Sequence, residues 1–191
     1  FNFDPKVLSL GPDIYLDGYW QSPKYFEGFE DEIRKNFTLK NIPTQKIQYL
    51  AGEIENTNSL CIHVRRGDYV GNKFHEVVNN EYYLKGIEFI SGKTTIEKIY
   101  VFSDDIIWCK NNLSFEFPTM FVDDEYAGLK GEGHMFLMSM CKNFIIANSS
   151  FSWWGAWLSG HKNKIIVCPK RWFPDASIDT NDLIPKEWIR I

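Results

Sequence analysis

"SLCIHVRRGDYVGNK", Ser59 to Lys73, ends an apolar run with two adjacent arginines, a glycine and an aspartate. Leu60, Cys61, Ile62 and Val64 predict a strand with the near-continuous apolar character of one buried on both faces. The chain beyond it alternates strand and helix. "EYYLKGIEFI" (81–90) predicts a helix closed by Ser91-Gly92, "KIYVFS" (98–103) a strand, and "IIWCKNNL" (106–113) a short helix capped by Asp104-Asp105. "TMFVD" (119–123) reads as a strand, "GHMFLMSMC" (133–141) as a helix and "NFIIAN" (143–148) as a strand. "SSFSWWGAWLSG" (149–160) predicts a helix ending at Gly160, and "KIIVCP" (164–169) a last strand stopped by Pro169. Strict alternation of this kind predicts an α/β fold, a Rossmann-like parallel sheet with helices on both faces.

Residues 1–58 lack that alternation. "EGFEDEIRKNF" (27–37) has helical character, and Pro43 precedes a second helical stretch, "TQKIQYLAGEI" (44–54). The expected organisation is a connecting segment and helical lead-in over 1–58, then a Rossmann-like domain over 59–191, together one compact unit. At 191 residues the chain is long enough for one substantial core and short for two.

Composition narrows the partners. A net charge of −4 gives no long-range attraction for nucleic acid or an anionic membrane, so no nucleic-acid partner is expected and anion binding must be local. No apolar run approaches the length of a membrane span. Cys61, Cys109, Cys141 and Cys168 form no C-x-x-C pair, and reduced, buried thiols suit a cytoplasmic compartment. Aromatic residues are abundant, with seven tryptophans, which fits either a well-filled core or contact with sugars. The chain starts at Phe1 without a methionine or targeting segment and reads as a piece of something longer.

In a parallel sheet, ligands sit outside the carboxyl ends of the strands. Four loops expected there hold the notable polar residues: "HVRRGDY", "FSDD", "VDDEY" and "NSSFSWW". His63 and Arg65 lie two apart, so an extended chain sends both to one face. The planar guanidinium matches phosphate oxygens and keeps its charge. Asp68 would hold an arginine in place, and a plain arginine–aspartate pair at a loop is the competing reading. Arg66-Gly67-Asp68 also spells an adhesion tripeptide, but such a tripeptide needs a protruding loop, and this one follows directly from an apolar strand. Ser149, Ser150 and Ser152 precede or open a helix, where free N–H groups favour an anion or where serine merely caps. Asp104 and Asp105 would face a nucleoside or cap the next helix. Asp68, His75 and Glu76 are the candidates for a catalytic base. No metal site is expected, because two arginines already supply positive charge and the Asp-x-Asp spacing of many metal-dependent sugar transferases is missing.

With those residues assembled, the chain resembles glycosyltransferase family 11, the α-1,2-fucosyltransferases. The likeness rests on "HVRRGDY" (63–69), "VFSDD" (101–105) and "NSSFSWWGAWL" (148–158), with "YLDGYWQSPKYF" (15–26) matching a connecting segment. It implies the carboxyl-terminal, donor-binding half of a GT-B-type enzyme; the glycine-rich opening segment of the family, "GGLGNQ"-like, is not among these residues. The implied reaction moves L-fucose from GDP-fucose to the 2-hydroxyl of a galactose-terminated glycan, with inversion and without a metal or other cofactor. By the same resemblance Arg65 would neutralise the departing phosphate; with Asp68 and Glu76 as base candidates from the loop itself, these three are the expected catalytic residues. His63, Arg65, Arg66, Tyr69, Asp104, Asp105, Ser149, Ser150 and Ser152 would bind GDP-fucose. A bacterial protein, cytoplasmic or membrane-associated, is expected from the absent targeting segment and the unpaired cysteines. The alternatives are a non-catalytic GDP-sugar-binding or carbohydrate-binding module, and a fucosyltransferase of another linkage.

Overall fold

A computed structural model describes residues 2–18, 20–40 and 44–191. Tyr19 in the connecting segment and Pro43 before the second helical stretch lie outside the described residues.

Among the described residues two α-helices precede the sheet, α1 (Glu30–Asn36) and α2 (Gln45–Asn56), the latter capped by Thr44, whose hydroxyl accepts from Ile47 N. Then come β1 (Ser59–Val64), α3 (Asn80–Ser91), β2 (Lys98–Ser103), α4 (Ile106–Asn112) and β3 (Thr119–Phe121). They are followed by α5 (Glu132–Ser139), β4 (Asn143–Ile145), α6 (Ser150–Leu158), β5 (Ile166–Cys168) and β6 (Ile189–Arg190). The six strands form one sheet in the order β3-β2-β1-β4-β5-β6, and each neighbouring pair is parallel. The expected α/β class and Rossmann-like parallel sheet are therefore present.

The period of two along the strands sorts side chains into two cores. Cys61, Tyr100, Phe102, Phe144 and Cys168 face the layer of α2, α5 and α6, where they meet Ile54, Leu137 and Trp153. Leu60, Ile62, Ile99, Val101 and Val167 face the opposite layer, against Tyr83, Ile87 and Ile90 of α3 and Cys109 of α4. Because β1 and its neighbours are covered on both sides, every residue of β1 is buried, as parallel sheets require. Trp153 is fully enclosed and its indole N–H donates to Leu183 O at 2.8 Å, so its burial leaves no unpaired donor. Gly86 lets α3 lie close on the sheet, since a Cβ there would stand 2.8 Å from Ile145 Cδ1. All four cysteines are buried and free.

Several boundaries differ from the sequence reading. The stretch 119–123 pairs as a strand only to Phe121, although Val122 N still donates to Val101 O at 2.9 Å before the chain turns at Asp124. The stretch 143–148 is a strand only to Ile145, and Ile146 N adds one more bond to Val167 O. The predicted helix over 149–160 ends at Leu158. β6 went unread because a two-residue strand has no period; its identity comes from pairing with β5. Among the described residues, no helix is long and apolar enough to cross a membrane.

Candidate active site

The strand order reverses between β1 and β4, the two neighbours whose connections run to opposite edges of the sheet. That point is where a doubly wound sheet opens a crevice at its carboxyl end. The arginine loop leaves β1 there, and the serine loop leaves β4 to start α6. Between them lies a cleft of about 910 Å³, within the range of small-molecule sites.

The paired arginines diverge. Arg65 lines the cleft and is held from two sides. Its Nε donates to Asp68 Oδ1 at 3.0 Å, its Nη2 lies 2.8 Å from the same oxygen, and Asp104 Oδ2 lies 3.3 Å from Nε. Arg66 turns away, its guanidinium carbon 3.7 Å from the centre of the Trp108 ring and its Nε 3.5 Å from Asp105 Oδ2. The loop itself is fixed by Asp104 Oδ1, which accepts from the Arg66 backbone N–H at 2.9 Å. Gly67 makes room for that carboxylate: a Cβ there would stand 2.5 Å from Asp104 Oδ2. One arginine is aimed into the cleft, and the other fastens the loop.

His63 is 3% exposed and lies beneath the loop rather than in the cleft, with its ring 5.8 Å from that of Phe151. Burial, then the charge of Arg65, then His134 push its pKa down to about 3, so the imidazole is neutral at physiological pH. Tyr69 lines the cleft and its phenol donates to Asn148 O at 2.9 Å. His75 stacks on Tyr69 with ring centres 4.3 Å apart and planes 11° from parallel. His75 lines the cleft, and its Nδ1 is enclosed without a partner among the described residues.

At the other wall, Ser149 and Ser150 line the cleft where α6 begins, and no side chain caps that helix. The first N–H groups of an α-helix have no acceptor within the helix, and the dipole there favours an anion. Arg65 and this helix start therefore face one space with donors and positive charge on both sides.

Several further expected site residues sit elsewhere. Ser152 is fully buried, and its hydroxyl is turned to Ala147 O and Ser149 O, each at 3.1 Å, which corrects the expectation that it would meet a ligand. Glu76 lies across from Arg171 at 3.8 Å and borders a separate, smaller pocket of about 240 Å³. Asp105 accepts from Trp108 N to cap α4 while its other oxygen faces Arg66. Asp104 braces the arginine loop. Neither of these two aspartates lines the cleft. Arg66, as described, also points away from it.

The sequence reading missed Gln21, Lys73 and the stretch Trp172, Phe173 and Asp175, all of which line the cleft. The last group had a signal, since "RWFPD" follows the last apolar strand run just as the other loops do. Gln21 lies in the connecting segment 15–26 that carries part of the resemblance, but only the fold brings it from the lead-in to the cleft. Among the described residues, no three His, Cys, Asp or Glu side chains converge as a metal site requires.

Strand order and a switch-point crevice, with Arg65 on one wall and the start of α6 on the other, define a Rossmann-type protein. The model of glycosyl transferase family 11 matches residues 3–191, and the chain belongs to that family. It is 38% identical over 190 residues to an alpha-1,2-colitosyltransferase of Escherichia coli, covering 96% of this chain and 64% of that protein. It is 37% identical over 188 residues to the O-antigen biosynthesis glycosyltransferase WbnK of Escherichia coli, covering 92% and 60%. A galactoside alpha-(1,2)-fucosyltransferase 1 of Mus musculus is 29% identical over 165 residues, covering 78% and 42%. The chain thus spans less than two thirds of the length of these relatives.

Proposed function

We propose that this chain is the donor-binding part of an inverting α-1,2-glycosyltransferase that moves a deoxy-L-galactose unit from a GDP-sugar to the 2-hydroxyl of a galactoside. The unit is L-fucose or its 3-deoxy form, colitose. The observation that carries the reading is the meeting of Arg65 and the uncapped start of α6 in one cleft at the switch point. The relatives named for colitosyl transfer and O-antigen synthesis support a bacterial surface polysaccharide as the acceptor. Cytoplasmic assembly of such a glycan is part of the same proposal.

In the reaction, the acceptor oxygen attacks the anomeric carbon from the side opposite the diphosphate. A new carbon–oxygen bond forms there. The bond from that carbon to the β-phosphate oxygen breaks, and its electron pair leaves with GDP. Negative charge grows on the departing phosphate, so a fixed guanidinium and helix N–H groups stabilise the transition state more than the bound substrate. That role falls to Arg65, Ser149 and Ser150. The hydroxyl proton passes to His75 Nε2. Asp68 is the less suited base, because one of its oxygens already faces two nitrogens of Arg65. Asp175 is also poor, since the hydroxyl and then the N–H of Ser177 hold its carboxyl below the ordinary range. With charge supplied by Arg65 and the helix, the reaction needs no divalent ion.

The test is transfer by the complete protein from GDP-fucose and GDP-colitose to a β-galactoside, with and without a chelator, beside Arg65→Ala. Transfer from either donor to the 2-hydroxyl, resistant to the chelator and lost in the variant, is expected. GDP binding without transfer by the complete protein would mean a non-catalytic module.

A further inference from the structure

Gln21 reaches the cleft from the lead-in, 129 positions from Ser150 in sequence, and the Ser150 hydroxyl donates to its Oε1 at 2.6 Å. A serine hydroxyl has one proton. In this arrangement Ser150 has none left for a ligand.

The other half of the same amide has no acceptor. Gln21 is 6% exposed, and its Nε2 is enclosed without a hydrogen-bond partner among the described residues. On either side, the Trp20 indole N–H and the Ser22 hydroxyl are also enclosed without a partner among the described residues, and they border a separate small pocket that Gln21 shares with the cleft. Trp20 has a φ of 46°, a left-handed conformation uncommon for a bulky residue. Enclosed donors without acceptors and strained backbone are both unfavourable, and they persist where a site is held ready for a ligand. Gln21 meets the start of α6 beside the cleft, where no side chain supplies a cap.

We propose that Gln21 is a positioning residue for the diphosphate, one that turns Ser150 into a donor. Rotation of the terminal amide exchanges its oxygen and nitrogen without moving the chain. Nε2 then donates to Ser150 Oγ, and the Ser150 proton is released toward a phosphate oxygen. In the unliganded orientation that proton points at Gln21 Oε1 instead. This inference rests on the nucleotide-sugar reading and adds to it a residue outside the motifs around Arg65 and Ser150.

Titration calorimetry of the complete protein with GDP and with guanosine tests it, using Gln21→Met, Ser150→Ala and their combination, each melting as the wild type does. Each single change should weaken GDP about 10- to 150-fold, the size expected for one hydrogen bond to a charged group. Guanosine should bind unchanged, and the double variant should be no weaker than the weaker single one, because the two residues act through one proton. Gln21→Glu is nearly isosteric but only accepts, so it should weaken GDP further. Wild-type GDP affinity in Gln21→Met, equal losses for GDP and guanosine, or losses that multiply in the double variant would each overturn the proposal. If Arg65→Ala loses GDP while the Gln21 variants do not, the nucleotide-sugar reading stands and only the role of Gln21 falls. A folded wild-type protein that ignores GDP removes both.

Discussion

The phenol of Tyr69 donates to the backbone carbonyl of Asn148 at 2.9 Å and so joins the arginine loop after β1 to the loop that enters α6. Asn148 continues the connection, its side-chain N–H donating to Trp172 O at 3.0 Å in the third wall of the cleft. Three loops from three strands are thereby held in register by two hydrogen bonds. Tyr69→Phe keeps the ring and removes one of them. Leaving a buried carbonyl unpaired costs on the order of 1–3 kcal/mol, so the urea midpoint should fall accordingly. GDP affinity should fall with it, as Arg65 and Ser150 lose their fixed separation.

Gly67→Ala should be harsher at the site than in the fold. The added Cβ would meet Asp104 Oδ2 at 2.5 Å, and the carboxylate would have to leave both Arg65 and the Arg66 N–H. Overpacking of this sort costs about 1–3 kcal/mol. Calorimetry should find GDP binding weakened at least about tenfold in a protein that still melts cooperatively.

His75→Ala should lower kcat by about 10²- to 10⁴-fold, the ordinary contribution of a general base, with little change in KM for the donor. Glu76→Gln should leave kcat near the wild-type value, since Glu76 borders the other pocket and faces Arg171. The reverse pattern in steady-state kinetics would return the role of base to Glu76.

Acid should unfold the protein partly through His63. Its pKa is 6.5 as a free group and about 3 when folded, with burial as the main cause and Arg65 and His134 adding to it. The unfolded chain therefore binds a proton between those values that the folded one refuses. Stability contributed by the neutral ring is full above the unfolded value and is lost as pH falls from 6.5 toward 3, with a slope of roughly 1.4 kcal/mol per pH unit. Burial lowers the His134 pKa as well, and this adds to the same trend. Urea denaturation of His63→Phe across that range should show a shallower decline than the wild type.

The stretch from Ser59 onward determined the architecture by itself. Apolar period and cap chemistry are local properties, so the run 60–64 announces a covered strand and Asp105 announces the start of α4 wherever the rest of the chain lies. Arg65 and Ser150 stood out in the sequence for a related reason, because a strand end and a helix start present charge and N–H groups whatever their surroundings. The direction of a side chain is a different matter. Arg66 is identical in type to Arg65, yet the ring of Trp108 draws it to the far side of the loop. Ser152 has the same hydroxyl as Ser150, but it lies two residues deeper in α6, where enclosed carbonyls claim its proton. Gln21 meets Ser150 only because the lead-in packs beside α6. Local period and capping fixed which elements form; contacts between distant segments decided which polar groups share the cleft, because burial and hydrogen-bond supply depend on neighbours that lie far away along the chain.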